Sequence, residues 1–195
     1  MFRVGRDKDH FINFDNLHLS LAFADAVDCA GVHNDDVVVF CFGEIDCRCH
    51  IHRQVDLGRD ANQVIRELVD AYIDVITANA RRRPKLHIIV CGVVPPRDFE
   101  SFTRVHGIIT HAFPFVGTDE QRVQYTRSMN ARLRETSDQY GYVFLDVFAD
   151  YANSVGILPE QISDGNSHIG DTRAVQLQLQ NILERFNAKT PTEVQ

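Results

Sequence analysis

The sequence predicts an α/β domain of three layers, with a mostly parallel sheet between two layers of helix. Two observations carry this expectation. Residues 37–42, 86–94 and 142–147 are short apolar runs rich in β-branched and aromatic side chains, as befits strands covered on both faces. Between them lie segments of helical period with recognisable start and stop residues. Strand, crossover helix and strand make a parallel unit, and the pattern repeats along the chain.

Residues 1–15 are short and mixed; Phe2, Arg3 and Val4 suit a brief strand that Gly5 would turn. Over residues 16–30 the apolar Leu19, Phe23, Ala26, Val27 and Ala30 recur at steps of three and four, and Gly31 follows as a helix-ending glycine. His33, Asn34, Asp35 and Asp36 form a turn by composition, leading into the first long strand, 37–42. Gly43 breaks that strand and opens a polar, thiol-rich loop. The next helix starts at Asp60 with Gln63 as capping-box partner, carries Val64, Leu68, Tyr72 and Ile76 as its stripe, and stops at Pro84. Arg81, Arg82 and Arg83 complement its negative end. The strand 86–94 ends at Pro95 and Pro96, and a long connection with Phe99, Phe102, His106, His111, Phe113 and Phe115 runs to Thr118. Thr118 and Gln121 make a second capping box, for a helix with Val123, Asn130, Leu133 and Tyr140 on one face that Gly141 closes. Beyond the last strand, a loop with Gly156, Pro159 and Gly165 leads to a helix over 171–186 with Val175, Leu179, Ile182 and Phe186 in register. Residues 1–186 are therefore expected to form a single domain, and 187–195 a disordered tail.

Composition narrows the function. A net charge of −7 disfavours nucleic acid and anionic membranes as partners, and no apolar run approaches the roughly 18 residues that span a bilayer. Five cysteines, an odd number, and a first segment without an apolar core of the signal-peptide kind point to a reducing, cytoplasmic location rather than a disulfide framework.

In open parallel sheets the loops leaving the carboxyl ends of strands form the ligand crevice. Four features meet there: Glu44, Asp46, Arg48 and His50 after the first long strand, the long connection after Val94, Asp146, and the stretch from Asp164 to His168. An Asp shortly before a His can orient the imidazole and stabilise its charged form, the arrangement of a general base in a Ser-His-Asp triad. On spacing alone the favoured reading is that Asp164 and Ser167 cap the last helix and His168 lies at the surface. Cys41, Cys47, Cys49, His50 and His52 lie close enough in sequence for zinc, but Cys-x-Cys is not a standard zinc spacing, and no metal or cofactor is expected. Cys47 or Cys49 as a nucleophile with His168 is a further reading. The structural alternative has Cys41 and Cys91 in the core, Cys47 and Cys49 packed beneath the loop, and Glu44, Asp46 and Arg48 as its ion-pair network.

The motifs change the balance. Gly43, Glu44, Ile45 and Asp46 resemble the Gly-x-Asn-Asp block of the SGNH (GDSL-like) hydrolase superfamily, and Asp164 with His168 resembles its closing Asp-x-x-His block. Gly-Glu-Ile-Asp-Cys-Arg at 43–48, Val94-Pro-Pro, Asn130 with Leu133, and Phe144-Leu-Asp further resemble one subgroup of that superfamily. The resemblance spans about residues 37–186. It implies a flavodoxin-like sheet and hydrolysis of an ester, on a small molecule or a carbohydrate, with His168 as general base, Asp164 as its orienter and an upstream serine as nucleophile.

Three departures accompany it. The nucleophile block Gly-Asp-Ser is absent, and Ser20, within a predicted helix, is the only serine before Gly43. Ile45 stands where the superfamily has an oxyanion-donating asparagine; Gly43 and Gly5 could supply only backbone donors, and losing a side-chain donor costs on the order of 10²–10³ in rate in related chemistry. The Asp-to-His spacing is one residue longer, so another acid could partner His168. A sheet without the superfamily's first strand would leave an apolar edge on residues 37–42, inviting a homodimer. The expectation is either a product that begins upstream of Met1 and carries the missing strand and serine, or a non-catalytic binding module that covers the edge through residues 2–4 or a second copy.

Overall fold

The computed structural model describes Val27 and residues 30–107 and 113–189, with side chains as far as Phe186. The expected strand at 2–4, Gly5, Ser20 and nearly all of the helix at 16–30 lie outside these residues.

Among the described residues the sheet has three strands, β1 (Val37–Cys41), β2 (His87–Cys91) and β3 (Val143–Leu145), all parallel and in the order β1-β2-β3. The register sets Val37 against His87 and Cys41 against Cys91, then Ile89 against Val143 and Cys91 against Leu145. Side chains alternate between two cores, as the two-residue period of a strand demands. Val38, Phe40, Ile88 and Val90 face one cluster with Leu68, Tyr72, Ile76, Met129 and Leu133. Val37, Val39, Ile89 and Leu145 face the other, with Tyr151, Leu158, Leu179, Ile182 and Phe186. Both faces of the sheet are covered, so the expected three-layer α/β class is the one observed.

The first helical layer holds α1 (Ile51–Asp56), α2 (Ala61–Arg82) and α4 (Asp119–Tyr140). Asp60 caps α2, its carboxylate accepting from the Gln63 backbone at 2.8 Å, but the Gln63 side chain turns outward to Glu67 and Arg66 instead of closing the box. At α4 the box is complete: Thr118 Oγ1 accepts from Gln121 N, Gln121 Oε1 accepts from Thr118 N, and Gly141 ends the helix in the left-handed region. Tyr140, expected on the inner face, is half exposed. A short α5 (Phe148–Tyr151) follows β3, and the second layer is α6 (Arg173–Lys189), which continues three residues past the expected boundary at Phe186.

Two segments differ from expectation. The connection after β2 contains a helix, α3 (Phe99–His106), capped by Asp98 through Ser101 N at 2.7 Å. The expected loop after β1 is helical from residue 44 onward, as a π-helical turn (Asp46–His50) running into α1. Among the described residues no helix is long and apolar enough to cross a membrane.

Candidate active site

Gly43 takes the chain from β1 into the π turn. Its φ of 101° lies in the left-handed region, and a Cβ there would sit 2.8 Å from both Met129 Cε and Val93 Cγ2, so the site is glycine for conformation and for space. The turn then divides its polar residues between inside and outside. Asp46 is buried and accepts a hydrogen bond from the Tyr72 hydroxyl, separate from the expected network with Arg48. Burial pushes the Asp46 carboxyl above its ordinary range, against the lowering influence of that hydroxyl and of His50. Glu44 and Arg48 do form the expected pair, side-on and bidentate, with Nε to Oε1 at 2.7 Å and Nη2 to Oε2 at 3.1 Å. Arg48 Nη1 donates to the Phe113 carbonyl, and the guanidinium lies over the Phe115 ring. Ile45 is partly exposed on the outer side of the turn.

The cysteine readings resolve differently. Cys47 and Cys49 are buried, Cys47 donating to Met129 Sδ at 3.5 Å, and burial pushes both thiols up. A thiolate nucleophile at either position is therefore disfavoured. Cys41, expected in the core, is exposed, and Cys91 beside it is half-buried. Among the described residues no group of three or more His, Cys, Asp or Glu side chains could hold a metal.

Asp164 and His168 are brought together by a pinched loop. Ser163 and Ile169 form an antiparallel bridge, and Asp164 N donates to the His168 carbonyl at 3.0 Å. Gly170 is required by the pinch, since a Cβ would lie 2.5 Å from the Ser163 carbonyl oxygen. Within the loop Asp164 Oδ1 accepts from Asn166 N at 2.8 Å and His168 N at 3.3 Å, while Oδ2 meets His168 Nδ1 at 3.0 Å. Partial burial raises the Asp164 carboxyl, but the Asn166 backbone and the His168 ring outweigh it and hold it below the usual range. Helix capping, the competing reading of Asp164, falls instead to Asp171, whose carboxylate accepts from Arg173 N. Asp146, the other candidate acid, pairs with Arg134 and accepts from Phe148 N. So the longer spacing does not change the partner: Asp164 holds His168. Among the described residues the His168 ring makes this one hydrogen bond, leaving Nε2 without a partner on a side chain that is 42% exposed.

A residue that the sequence reading passed over joins the two halves. Arg97 follows the proline pair at the end of β2 and is buried at 2% exposure. Its Nη1 donates to Ser163 Oγ and, at 3.1 Å, to the Asn166 carbonyl, fixing the loop that carries His168. The same side chain lines a cleft with Glu44, Arg48, Val94, Phe115 and Thr126. His106 on α3 reaches the loop too, through the Gly165 carbonyl. A charge in the connection that leaves β2 at its carboxyl end was the available signal for Arg97, and the proline pair masked it.

No family model and no curated protein matches the chain. Among solved structures it is similar to an extracellular lipase from Streptomyces rimosus, at 18% identity and a TM-score of 0.49, over 81% of this chain and 75% of that one. It is also similar to a proposed platelet activating factor from Streptococcus pneumonia, at 10% identity and a TM-score of 0.46, over 86% and 91% of the two chains. At these scores neither likeness bears on what the chain does.

Proposed function

We propose that this chain is an ester hydrolase of the SGNH type, acting on an acyl ester of a small molecule or carbohydrate. The observation that carries the reading is the contact of His168 Nδ1 with Asp164 Oδ2 at 3.0 Å, with Nε2 open. Nδ1–H donated to the carboxylate leaves the lone pair on Nε2. Nε2 then takes the proton of a serine hydroxyl as its oxygen attacks the ester carbonyl, and returns that proton to the departing alcohol. Asp164 fixes the tautomer and stabilises the imidazolium between the two transfers. The backbone N–H groups of the turn after Gly43, and of Gly5, are the candidate oxyanion donors, because Ile45 offers a hydrocarbon where an asparagine would donate. Among the described residues no serine hydroxyl is hydrogen-bonded to His168, and this reading assigns the nucleophile to a serine upstream of β1. Free thiols at Cys41, Cys47, Cys49 and Cys91 suit the proposed cytoplasmic location.

Ile45 and the unassigned serine also favour a second reading, a binding module that keeps the crevice without the chemistry. A fluorophosphonate probe followed by peptide mass spectrometry separates the two. The hydrolase reading expects one labelled serine, with labelling lost in His168→Ala. Absence of labelling in a folded chain overturns it and leaves the module.

A further inference from the structure

Cys41 and Cys91 end their strands side by side. They are register partners in the parallel pair of β1 with β2, where neighbouring backbones run about 4.8 Å apart, inside the range of roughly 4.4–6.8 Å between Cα atoms that a disulfide spans. Register partners point to the same side of the sheet, here the side of the second core, where Cys91 joins Val37 and Val39. Both are free thiols, but Cys41 is exposed and Cys91 half-buried. The Cys91 thiol has two acceptors within reach, the Gly92 carbonyl at 3.4 Å and the Cys41 sulfur, and its bond to the sulfur holds the Cys41 thiol below its ordinary range. The same contact, burial, and the charges of Cys41 and Asp146 push Cys91 up. Cys41 is therefore the sulfur that ionises and meets solvent, while Cys91 keeps its proton beside it. Cys47 and Cys49 offer no such pair, since both are buried and burial pushes both thiols up.

We propose that Cys41 and Cys91 are a modification site for low-molecular-weight disulfides, in which Cys41 attacks and Cys91 resolves. The Cys41 thiolate attacks one sulfur of the small disulfide, forming a mixed disulfide and releasing the other half as a thiolate. Cys41 then no longer carries the charge that helped to hold the proton on Cys91. Cys91 gives up that proton, and its sulfur attacks Cys41 Sγ, displacing the second thiolate and closing a bond between the ends of β1 and β2. Two protein thiols are oxidised to one disulfide, the small disulfide is reduced to two thiols, and the protons pass to the released sulfurs. An exposed bridge is the labile kind, so the pair rests reduced and closes only when small disulfides accumulate. It would tie the strand that enters the π turn at Gly43 to the strand that leads to Arg97. The bond lies on a face of the sheet, so it needs no second copy at the free edge of β1, and no step uses His168 or an ester.

The test is to incubate the reduced, folded full chain with oxidised glutathione, alkylate the remaining thiols, and map the products by peptide mass spectrometry over time. The expected product is a bridge between Cys41 and Cys91, preceded by a glutathione adduct on Cys41 and reversed by dithiothreitol. Cys91→Ser cannot resolve the adduct, which is expected to accumulate on Cys41 to about ten times the wild-type level. Cys41→Ser removes the attacking sulfur and is expected to react about tenfold more slowly. A wild-type adduct that persists on Cys41 overturns the pair. A bridge to Cys29, which lies outside the described residues, a bridge between two chains, or no reaction of the folded wild type overturns it as well. Should either variant fail to fold, the wild-type map decides alone.

Discussion

Asp46 shows how a loop carboxylate beside the candidate site can be turned inward by the fold rather than into the expected ion-pair network. It belongs to the Gly-x-Asn-Asp-like block, yet it is buried beneath the π turn and its carboxylate receives the Tyr72 hydroxyl. Burial is the largest influence on its proton and raises the folded-state pKa above the unfolded value of about 3.9. A raised acid contributes stability that is fully present below the unfolded value and is lost as pH climbs through the folded one. Asp46→Asn has no such proton to lose and keeps an oxygen for Tyr72. In urea unfolding, the variant is therefore expected to gain on wild type between pH 4 and pH 7, and parallel stability profiles would show that the carboxyl ionises without penalty. The contact between Asp164 and His168 was legible from the resemblance of their block, since both residues lie on one short loop. The burial of Asp46 and the hold of Arg97 on the loop of His168 were not, since each depends on residues tens of positions away: Tyr72 for the first, and Ser163 and Asn166 for the second.

At the scale of elements, caps and glycines were the readable features. Asp60, Thr118 with Gln121, and Gly141 act locally, and all three stand at the helix ends where the sequence put them. The helical segment after Gly43 was misread for a physical reason. Cys47, Cys49 and Ile51 are all buried, a spacing of two that suits a strand, because a π turn widens the helix and resets which side chains face inward. Asp98, Phe99, Phe102 and His106 carried a cap and a helical stripe for α3, obscured by the neighbouring prolines. Gly43 is the hinge on which the π turn depends. Gly43→Ala meets both a left-handed φ and close contacts with Met129 and Val93, and its expected cost is on the order of 3 kcal/mol. Gly58→Ala shares a positive φ of 87° but has nothing within 4 Å, so the backbone alone should cost about 1 kcal/mol. Equal losses in chemical denaturation would mean that the core beside Gly43 relaxes freely around a methyl group.

For the whole molecule, the consequential feature is the edge of the sheet. β2 is paired on both sides and fully enclosed in its middle, whereas β1 pairs with β2 alone among the described residues. β1 carries Val37, Val38 and Val39, all only half-buried, and an exposed Cys41. The fold class was legible because layering follows from strand composition and helix period, both local. How the edge is covered was not, because backbone donors and acceptors look alike in every sequence. A strand of this composition with one side open is a template for a second chain. We propose that two copies meet along β1, each completing the other's sheet. Light scattering is expected to give twice the chain's mass, falling toward the single mass on dilution. Val39→Lys places a charge on this strand and is expected to return the monomer, with circular dichroism confirming that the helices persist. Wild type that stays monomeric at every concentration would remove the shared edge, and the covering of β1 would then have to come from within the same chain.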